Sequence, residues 1–490
     1  MSYPSLLFTE RASGKRVAAH VFEDVKLTQL FSEEAVGAMR VLCRAEDIPV
    51  RQELLRFLHS DRESRRKLTK LASISADIQR LRTALGDVKC ENERHYVYVG
   101  LMGAVADFYD LAASVPEAGG VLLCRFGNGF RAYSGAAEWA ELSRQARELR
   151  TKADEARRET FRTAGDNLWM RREFGESYVD RLNRCAQDLG LPETRKKRDT
   201  SIRLDARMVN ALARLYPESF LAFKAFYEQY GTKFDETILS YRFELNFYLE
   251  ALKLMDRIQA AGMPLCWPES AGVKKIDIRG LRDISLLLKD GVDIVPNDAL
   301  FTEAEPFFFL TGANGGGKTT YLRALAIAVL LFRCGCPVCA DAAAIWPFGN
   351  VLTHFPQDER FEADGRYADE LRRTDEILAA HGGDSLILLN ETYSTTNEEL
   401  AVTSTLALTE KLKDSGSFTL YITHQHGLEA AGVPFLSVIV DADDQNRRTY
   451  RIARRKEAAG SYASDIIRRY GLDGATLRKR FQKRKKGENA

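Results

Sequence analysis

Long apolar runs are missing from this 490-residue chain: the longest, Ala324 to Phe332, falls far short of the ~20 residues that a helical membrane span needs. A buried helix is the expected home of that run, and no membrane partner is expected. An excess of charge of one sign is missing too. Lys and Arg number 71 against 69 Asp and Glu, a formal net charge of +2, so any nucleic-acid surface has to come from local clustering rather than from the whole-chain balance. Cysteine is sparse, eight in the chain, which excludes a disulfide scaffold. Residues 1 to 20 hold Glu10, Arg11, Lys15 and Arg16 without an apolar core, so no secretory leader is expected and the expected compartment is the cytoplasm.

What is present is the composition of a soluble protein, 45% hydrophobic and 29% charged, in a chain too long for one ordinary core, so several domains are expected. The most informative stretch runs from Phe307 to Thr320, FFFLTGANGGGKTT. A wholly apolar run ends at Thr311, a glycine-rich loop follows, and Lys318, Thr319 and Thr320 open a segment without a helix breaker. Strand, loop and helix are implied in that order. Gly312, Ala313, Asn314, Gly315, Gly316, Gly317, Lys318, Thr319 and Thr320 have the spacing of a P-loop. In such a loop the backbone amides wrap phosphates, the lysine reaches the β and γ oxygens, and the threonine hydroxyl holds Mg²⁺. Glycine suits a turn that visits positive φ and approaches its ligand closely, and the helix that follows presents its positive end to the same anion. ATP and Mg²⁺ are the expected ligands.

Upstream, the sequence is helical. From Glu46 onward, Leu54, Leu55, Leu58, Leu68, Leu71, Ile74, Ile78 and Leu81 recur at three- and four-residue spacing, the mark of amphipathic helices. Arg62, Arg65, Arg66, Lys67 and Lys70 crowd this region, and the plain reading of such a run is a solvated face. Gly127-Asn128-Gly129, between short apolar runs, reads as a hairpin turn. Ala136 to Arg172 is long and highly charged; a helix with few apolar positions is expected to project as an arm. Arg195, Lys196, Lys197 and Arg198 form a basic loop suited either to solvent or to a phosphate backbone. Apolar periodicity returns at Met208 and closes near Gly262, and Pro264, Pro268 and Gly272 mark a boundary before shorter strands alternate with helices. Cys334, Cys336 and Cys339 are close in sequence, but a structural zinc site closes with four ligands, and a buried turn is the expected role. Ser385 to Leu389 is a buried strand ending in Asn390-Glu391, and Phe418 to Thr423 is another, with His424 just beyond it. Ligand-facing residues stand at such strand ends in open parallel sheets. In P-loop ATPases an acid at the end of one such strand faces the metal and the next carboxylate activates water. Here the metal-side residue is Asn390, Glu391 is the candidate base, and His424 is the candidate γ-phosphate sensor. Residues 477 to 486 form a basic tail.

Together these segments resemble the MutS family of DNA mismatch repair ATPases. Val295 to Phe301, which includes Asn297, followed by LTGANGGGKTTYLRALA, is similar to the family's nucleotide loop and P-loop. Pro337-Val338-Cys339-Ala340 sits where the family carries an aromatic-Val-Pro-Ala turn. SLILLNETYSTTNEE falls at its Walker B strand and Thr/Ser-rich loop, LYITHQHGL at its Thr-His segment, and Gly460 to Leu472 at its C-terminal Ser-Tyr-Gly helix. RQELLRFLHSDRESRRKL resembles the first lever helices, and NFYLEALKLMDRIQAAGMPLCWPE the return to the ATPase domain. The departures are specific. Mismatch-reading members carry an N-terminal domain with a Phe-x-Glu wedge, whereas this sequence starts at the lever, so direct mismatch reading is not expected; no nuclease-like C-terminal segment is recognised. The family's dimer-crossing Ser-Thr-Phe signature is replaced by Gly365, Arg366 and Tyr367 with Glu370 kept, so Arg366 is a candidate substitute ligand for the γ-phosphate. Asn390 stands where the family has Asp.

The resemblance implies a multidomain protein, with an α-helical lever and arm domain (about 1–265, the arm at about 115–205), an α/β ABC-type P-loop ATPase domain (about 266–475) and a basic tail (476–490). It implies a homodimer closed by ATP through the ATPase domains around duplex or branched DNA, in repair or recombination and with repair-protein partners. Ile294 falls where the family packs a side chain on adenine, and Tyr450 or Arg451 where the other face is covered. Hydrolysis is expected to be slow. Two other readings compete: an ATP-gated scaffold that clamps a protein partner, and an ABC-type chromosome-maintenance ATPase, for which the arm is too short.

Overall fold

The computed structural model describes residues 4–10, 16–41, 43–164, 167–170, 184, 187, 206–289, 293–355, 363–393, 398–440 and 448–454. In chain order, the helices are α1 (Ala19–Asp24), α2 (Glu33–Arg40), α3 (Asp47–Ser60), α4 (Arg62–Gly86), α5 (Glu91–Ala113), α6 (Gly120–Ser134), α7 (Ala137–Thr160), α8 (Ala206–Leu215), α9 (Pro217–Tyr230), α10 (Tyr241–Ala260), α11 (Lys318–Arg333), α12 (Ala363–Ala380) and α13 (Glu398–Asp414). The strands are β1 (Phe161–Ala164), β2 (Asn167–Met170), β3 (Glu269–Ser270), β4 (Lys275–Leu281), β5 (Asn297–Thr302), β6 (Phe307–Thr311), β7 (Ala342–Ile345), β8 (Asn350–His354), β9 (Ser385–Asn390), β10 (Phe418–Ile422), β11 (Phe435–Val440) and β12 (Arg448–Arg454). An N-terminal helical region is thus followed by a mixed α/β region. The Arg195–Arg198 segment, the Gly460–Leu472 segment and the basic tail lie outside the described residues. Among the described residues no helix is long and apolar enough to cross a membrane.

The chain divides into two compact units that are not continuous in sequence, residues 1–9 with 57–249 and residues 10–56 with 250–490. The helical unit is built on α5, which buries Tyr98, Val99, Leu101, Met102, Val105, Ala106, Phe108, Tyr109 and Ala112, residues on every side of the helix. A helix that is apolar all round must be enclosed, and α4, α6, α7, α8 and α9 all pack on it. Fully burying an aromatic such as Phe108, which meets Phe130 at 5.7 Å between ring centroids, is worth about 1.5–3 kcal/mol.

Two sequence expectations fail inside this unit. Gly127-Asn128-Gly129 is not a hairpin turn but the middle of α6, whose Leu122, Leu123, Phe126 and Phe130 form the buried stripe. The glycines answer to packing rather than to a turn: a β-carbon on Gly127 would stand 2.8 Å from Val115 Cγ2, and one on Gly129 2.7 Å from Pro4 Cγ. Nor does α7 project along its length. Trp139, Leu142, Ala146, Leu149 and Ala153 are buried, a stripe hidden in the sequence by the charged residues between them. Arg150 lies along Gly103 of α5 and pairs with Asp107 at 2.8 Å, while Arg147 pairs with Asp110. The antiparallel β1–β2 pair, with Phe161 opposite Met170, was not expected from the sequence.

The second unit carries a six-stranded sheet in the order β12-β11-β6-β10-β9-β8 and a four-stranded sheet in the order β3-β7-β4-β5. From β11 to β8 the six-stranded sheet is parallel, and β12 runs antiparallel at one edge. Strands β6, β9 and β10 are buried along their whole length, the pattern of parallel strands covered on both faces. Residues 10–56 pack with this unit. Thr353 donates to Asp24 at 2.6 Å, Arg333 to the Cys43 carbonyl at 2.7 Å, Gln52 to the Pro268 carbonyl at 2.9 Å, and Arg56 stacks over Trp267 at 4.8 Å.

Because Gly127 sits against the stiff, buried Val115, Gly127→Ala should lower stability by about 1–3 kcal/mol through overpacking. At an uncrowded helix position the same change raises stability by about 0.5–1 kcal/mol. Thermal unfolding followed by circular dichroism distinguishes the two signs.

Candidate functional site

Three neighbouring parallel strands end at one level. Ile422 of β10 is opposite Leu310 of β6 on one side and opposite Asn390 of β9 on the other. The loops that leave their C-terminal ends therefore start side by side: the glycine loop after β6, Glu391 after β9, and Thr423-His424 after β10. The Glu391 amide donates to the Ile422 carbonyl at 2.9 Å, which extends the β9–β10 pairing into the turn.

The glycine loop is shaped by positive φ, 136° at Gly312 and 93° at Gly317. Gly317 is the N-cap of α11; a side chain there would be strained in its backbone and would come up to Tyr450, whose Cδ1 lies 3.4 Å from the β-carbon position. At Gly312 a β-carbon would stand 2.9 Å from Val438 Cγ2. Lys318 follows and is only 5% exposed. Its Nζ donates to the carbonyl oxygens of Gly312 at 2.8 Å and Ala313 at 3.3 Å, so the ammonium is folded back over its own loop. A tight glycine turn, closed by the Gly316 amide on the Ala313 carbonyl at 3.1 Å, a helix N-terminus and a buried cation are the parts from which an anion site is built. Thr319 Oγ1 donates to Asn390 Oδ1 at 3.5 Å. These are two hard oxygen donors, and they fit a small hard divalent cation that fills its other positions with water and ligand oxygens, although neither carries a charge.

Glu391 and His424 meet at 3.1 Å between Oε1 and Nε2. The His424 hydrogen bond is the main reason the Glu391 carboxyl is held below its ordinary range; burial opposes it, and the charges of His424 and Lys318 add to the lowering. Glu391 is thus an ionised acceptor facing a cationic loop. The turn carrying it is strained. Glu391 and Tyr393 have φ of 55° and 62°, in a region that costs non-glycine residues on the order of 1–3 kcal/mol each.

A cavity of about 710 Å³ lies against the loop, lined by Asn314 to Tyr321 and by Glu391, with Ile294, Asn297 and Tyr450 on its other walls. Asn297 acts as a clip. Its Nδ2 donates to the Tyr450 carbonyl at 3.0 Å and its Oδ1 accepts from the Ile452 amide at 2.7 Å, which fixes Tyr450, itself at φ 55°, at the cavity mouth. Arg451 is exposed and outside the lining. Gly365, Arg366 and Tyr367 lie in α12, where the structure describes the backbone alone; Glu370, also in α12, is half-buried and does not line the cavity. Leu281, Asp283, Leu286, Asp293 and Val295 complete the walls. Val295 opens the segment likened to the nucleotide loop, but sequence reasoning missed Leu281, Asp283, Leu286 and Asp293, since the end of β4 and the residues after it carry no motif. Asp283 is the N-cap of the short helix Ile284–Leu288: its Oδ1 accepts from the Ser285 amide at 2.9 Å and its Oδ2 stands 3.6 Å from Arg323.

Cys334, Cys336 and Cys339 are all buried. Cys334 Sγ faces the Met39 carbonyl at 3.7 Å, and Cys339 Sγ faces Met263 Sδ at 3.9 Å. Burial pushes the Cys334 thiol up to about 12 and Cys339 up to about 11, and raises Cys336 as well. Among the described residues no group of three or more His, Cys, Asp and Glu comes together as a metal site.

Residues 308–474 match the family model of MutS domain V. Over 239 residues the chain is 28% identical to "Endonuclease MutS2" of Gemmatimonas aurantiaca, covering 47% of this chain and 28% of that protein. It is 29% identical over 185 residues to "Endonuclease MutS2" of Streptococcus suis, covering 36% and 24%. With "DNA mismatch repair protein MutS" of Natronomonas pharaonis it shares 33% identity over 169 residues, covering 34% and 19%. The chain is therefore homologous to MutS and MutS2 proteins over part of its length, centred on the domain V match, and spans about a quarter of the length of the relatives it matches.

Zinc binds cysteine as thiolate, and three thiols raised by burial favour the protonated form. Elemental analysis of protein purified without added zinc should find no stoichiometric metal; about one zinc per chain would reverse this reading of the cysteines.

Proposed function

We propose that the chain is a MutS-like ATPase of the cytoplasm that binds ATP and Mg²⁺ in this cavity, hydrolyses ATP slowly, and closes as a homodimer through its α/β units to clamp duplex or branched DNA in repair or recombination, with repair proteins as partners. The observation that carries this reading is that Lys318 and Glu391 line one cavity at the ends of three adjacent strands, with Asn390 bonded to Thr319 and His424 to Glu391. DNA is favoured over a protein cargo because relatives matched over the α/β region bear the name DNA mismatch repair protein.

In this reading the loop amides from Asn314 to Thr319 and the N-terminus of α11 face the phosphates. Lys318 exchanges its carbonyl partners at Gly312 and Ala313 for phosphate oxygens. Ile294 packs on the base, and Tyr450, held by Asn297, covers its other face. Thr319 directly, and Asn390 through water, would hold Mg²⁺, which when bound neutralises charge on the phosphate oxygens. Glu391 takes a proton from the attacking water as the water oxygen bonds to the γ-phosphorus; the bond to the β,γ-bridging oxygen breaks, leaving ADP and phosphate. His424 orients the attacking water or reads the γ-phosphate, and its Nε2 contact at 3.1 Å steadies Glu391. Gly365 to Tyr367, with Arg366 as the ligand and Glu370 beside it, are assigned to the nucleotide of the partner. Closure is a population shift favoured by whichever state binds ATP better.

Lys318→Ala should abolish tight ATP binding, because no neighbour in the loop can replace a point charge on the phosphates; unchanged affinity by titration calorimetry would refute this assignment. Glu391→Gln should keep ATP affinity and slow single-turnover hydrolysis by ~10²–10⁴, whereas Asn390→Asp should raise the rate and lower the Mg²⁺ requirement. Normal turnover in Glu391→Gln would put the base elsewhere.

On DNA, ATP-dependent retention of duplex or branched substrates should weaken steeply with salt and fall on charge reversal of Arg195, Lys196, Lys197 and Arg198. Absence of any ATP-dependent retention at low salt would favour the protein-clamping scaffold.

A further inference from the structure

The turn after β9 is held in a conformation that its residues resist. Glu391 and Tyr393 lie at φ 55° and 62°, where the β-carbon of a non-glycine residue crowds the backbone. Something has to hold the turn there. One brace comes from β10: the Tyr421 hydroxyl donates to the Thr392 carbonyl at 3.0 Å. A second comes from β8, where Thr392 Oγ1 meets His354 Nδ1 at 3.1 Å. The third is Tyr393 itself. Its ring is buried in the same apolar cluster as Ile377 and Leu389, and its hydroxyl donates to Thr374 Oγ1 of α12 at 3.1 Å. Thr374 is 2% exposed, and its hydroxyl donates to the Glu370 carbonyl one turn earlier in α12, at 2.9 Å. A buried hydrogen bond thus joins the strained turn to Thr374, whose hydroxyl is in turn bonded to the backbone of α12 at Glu370 and Leu371.

We propose that Tyr393 is a positioning residue for Glu391. Its hydroxyl, tied to Thr374, holds the left-handed turn, and the turn aims the Glu391 carboxylate at the cavity and at His424. The inference rests on the reading of Glu391 as the proton acceptor in ATP hydrolysis. It has a mechanical corollary. Helix α12 also bears the Gly365–Tyr367 segment, so a displacement of α12 reaches Glu391 through the Tyr393 side chain, and the carboxylate is correctly aimed for one placement of that helix.

A merely structural role makes a different prediction, because a buried hydroxyl pair can be kept only to satisfy its own polar atoms. Tyr393→Phe, Thr374→Val, the double variant and Thr374→Ser separate the two, using single-turnover hydrolysis, ATP titration and thermal unfolding. Tyr393→Phe should slow single turnover by about 10- to 100-fold, the scale of a misplaced catalytic group. ATP affinity should stay within about twofold, a loss confined to the chemical step. Thr374→Val removes the acceptor of a buried hydroxyl and should lower the unfolding temperature as well as the rate. The double variant removes both polar partners and should regain the unfolding temperature yet remain slow. Thr374→Ser keeps the acceptor and should turn over as wild type does. A double variant whose rate recovers together with its unfolding temperature, or a Tyr393→Phe variant as fast as wild type, would overturn the proposal. A wild-type protein that neither binds nor hydrolyses ATP would instead overturn the nucleotide reading, and the inference with it.

Discussion

Register between β6, β9 and β10 is the constraint from which the candidate site follows. Side chains alternate along a strand, so a slip of one residue would exchange Phe307 to Leu310, Leu386 to Leu389 or Leu420 to Ile422 between two packed faces and spoil the fit of both. These strands are buried along their length, and every slip would be costly. Ile422 is consequently fixed opposite both Leu310 and Asn390. With that level set, the residues that leave the sheet have little freedom. Gly312 must turn at once, Glu391 is drawn in by its amide bond to Ile422, and His424 emerges two residues beyond Ile422, close enough to reach Glu391. The chemistry is carried on short loops, but the distances between its groups are those of the sheet.

The parts of this arrangement that were legible in the sequence are those with a local cause. An apolar run followed by spaced glycines and a lysine declares strand, turn and helix without help from the rest of the chain, and SLILLNE and FTLYITH declare buried strands with polar ends. The rest depends on partners distant in sequence. Gly127 and Gly129 look like a turn until Val115 and Pro4 are seen to occupy the space of their side chains. Helix α7 looks like a free arm because its charges hide Trp139, Leu142, Ala146, Leu149 and Ala153, the positions that pack. Residues 10–56 fall in the stretch expected to be lever, about 1–265, and read as helical only from Glu46, yet they pack with the α/β unit, through contacts such as Arg333 with the Cys43 carbonyl.

Asn297 illustrates a subtler limit. Its position in the sequence points to the cavity, and it does line the cavity, but both ends of its amide are taken by the backbone of β12 at Tyr450 and Ile452. An asparagine can hold a donor and an acceptor in one plane, which is what two backbone groups of a neighbouring strand require. Proximity was legible; the hydrogen-bond partners were not. Tyr393 is similar. Its neighbours in sequence give no reason for an aromatic residue in a polar turn, and the reason appears only when Thr374 of α12 is brought beneath it.

Asn390 and the Glu391–His424 pair act in the same direction on the proposed reaction. With an amide at position 390, Glu391 has no neighbouring carboxylate there to raise its proton affinity, and the hydrogen bond from His424 lowers that affinity further. A carboxylate held below its usual range is reliably ionised but is a weaker proton acceptor. The same amide contributes no charge toward a cation beside Thr319. On the proposed reading, weak proton abstraction and weak metal retention both slow the chemical step, while Lys318 and the loop amides, to which binding is assigned, are altered by neither. A site built this way separates holding a nucleotide from consuming it. On the proposed reading, that separation suits a protein whose bound state has to last, because the lifetime of the closed form is then limited by the chemistry of Asn390 and Glu391 rather than by the grip of the loop.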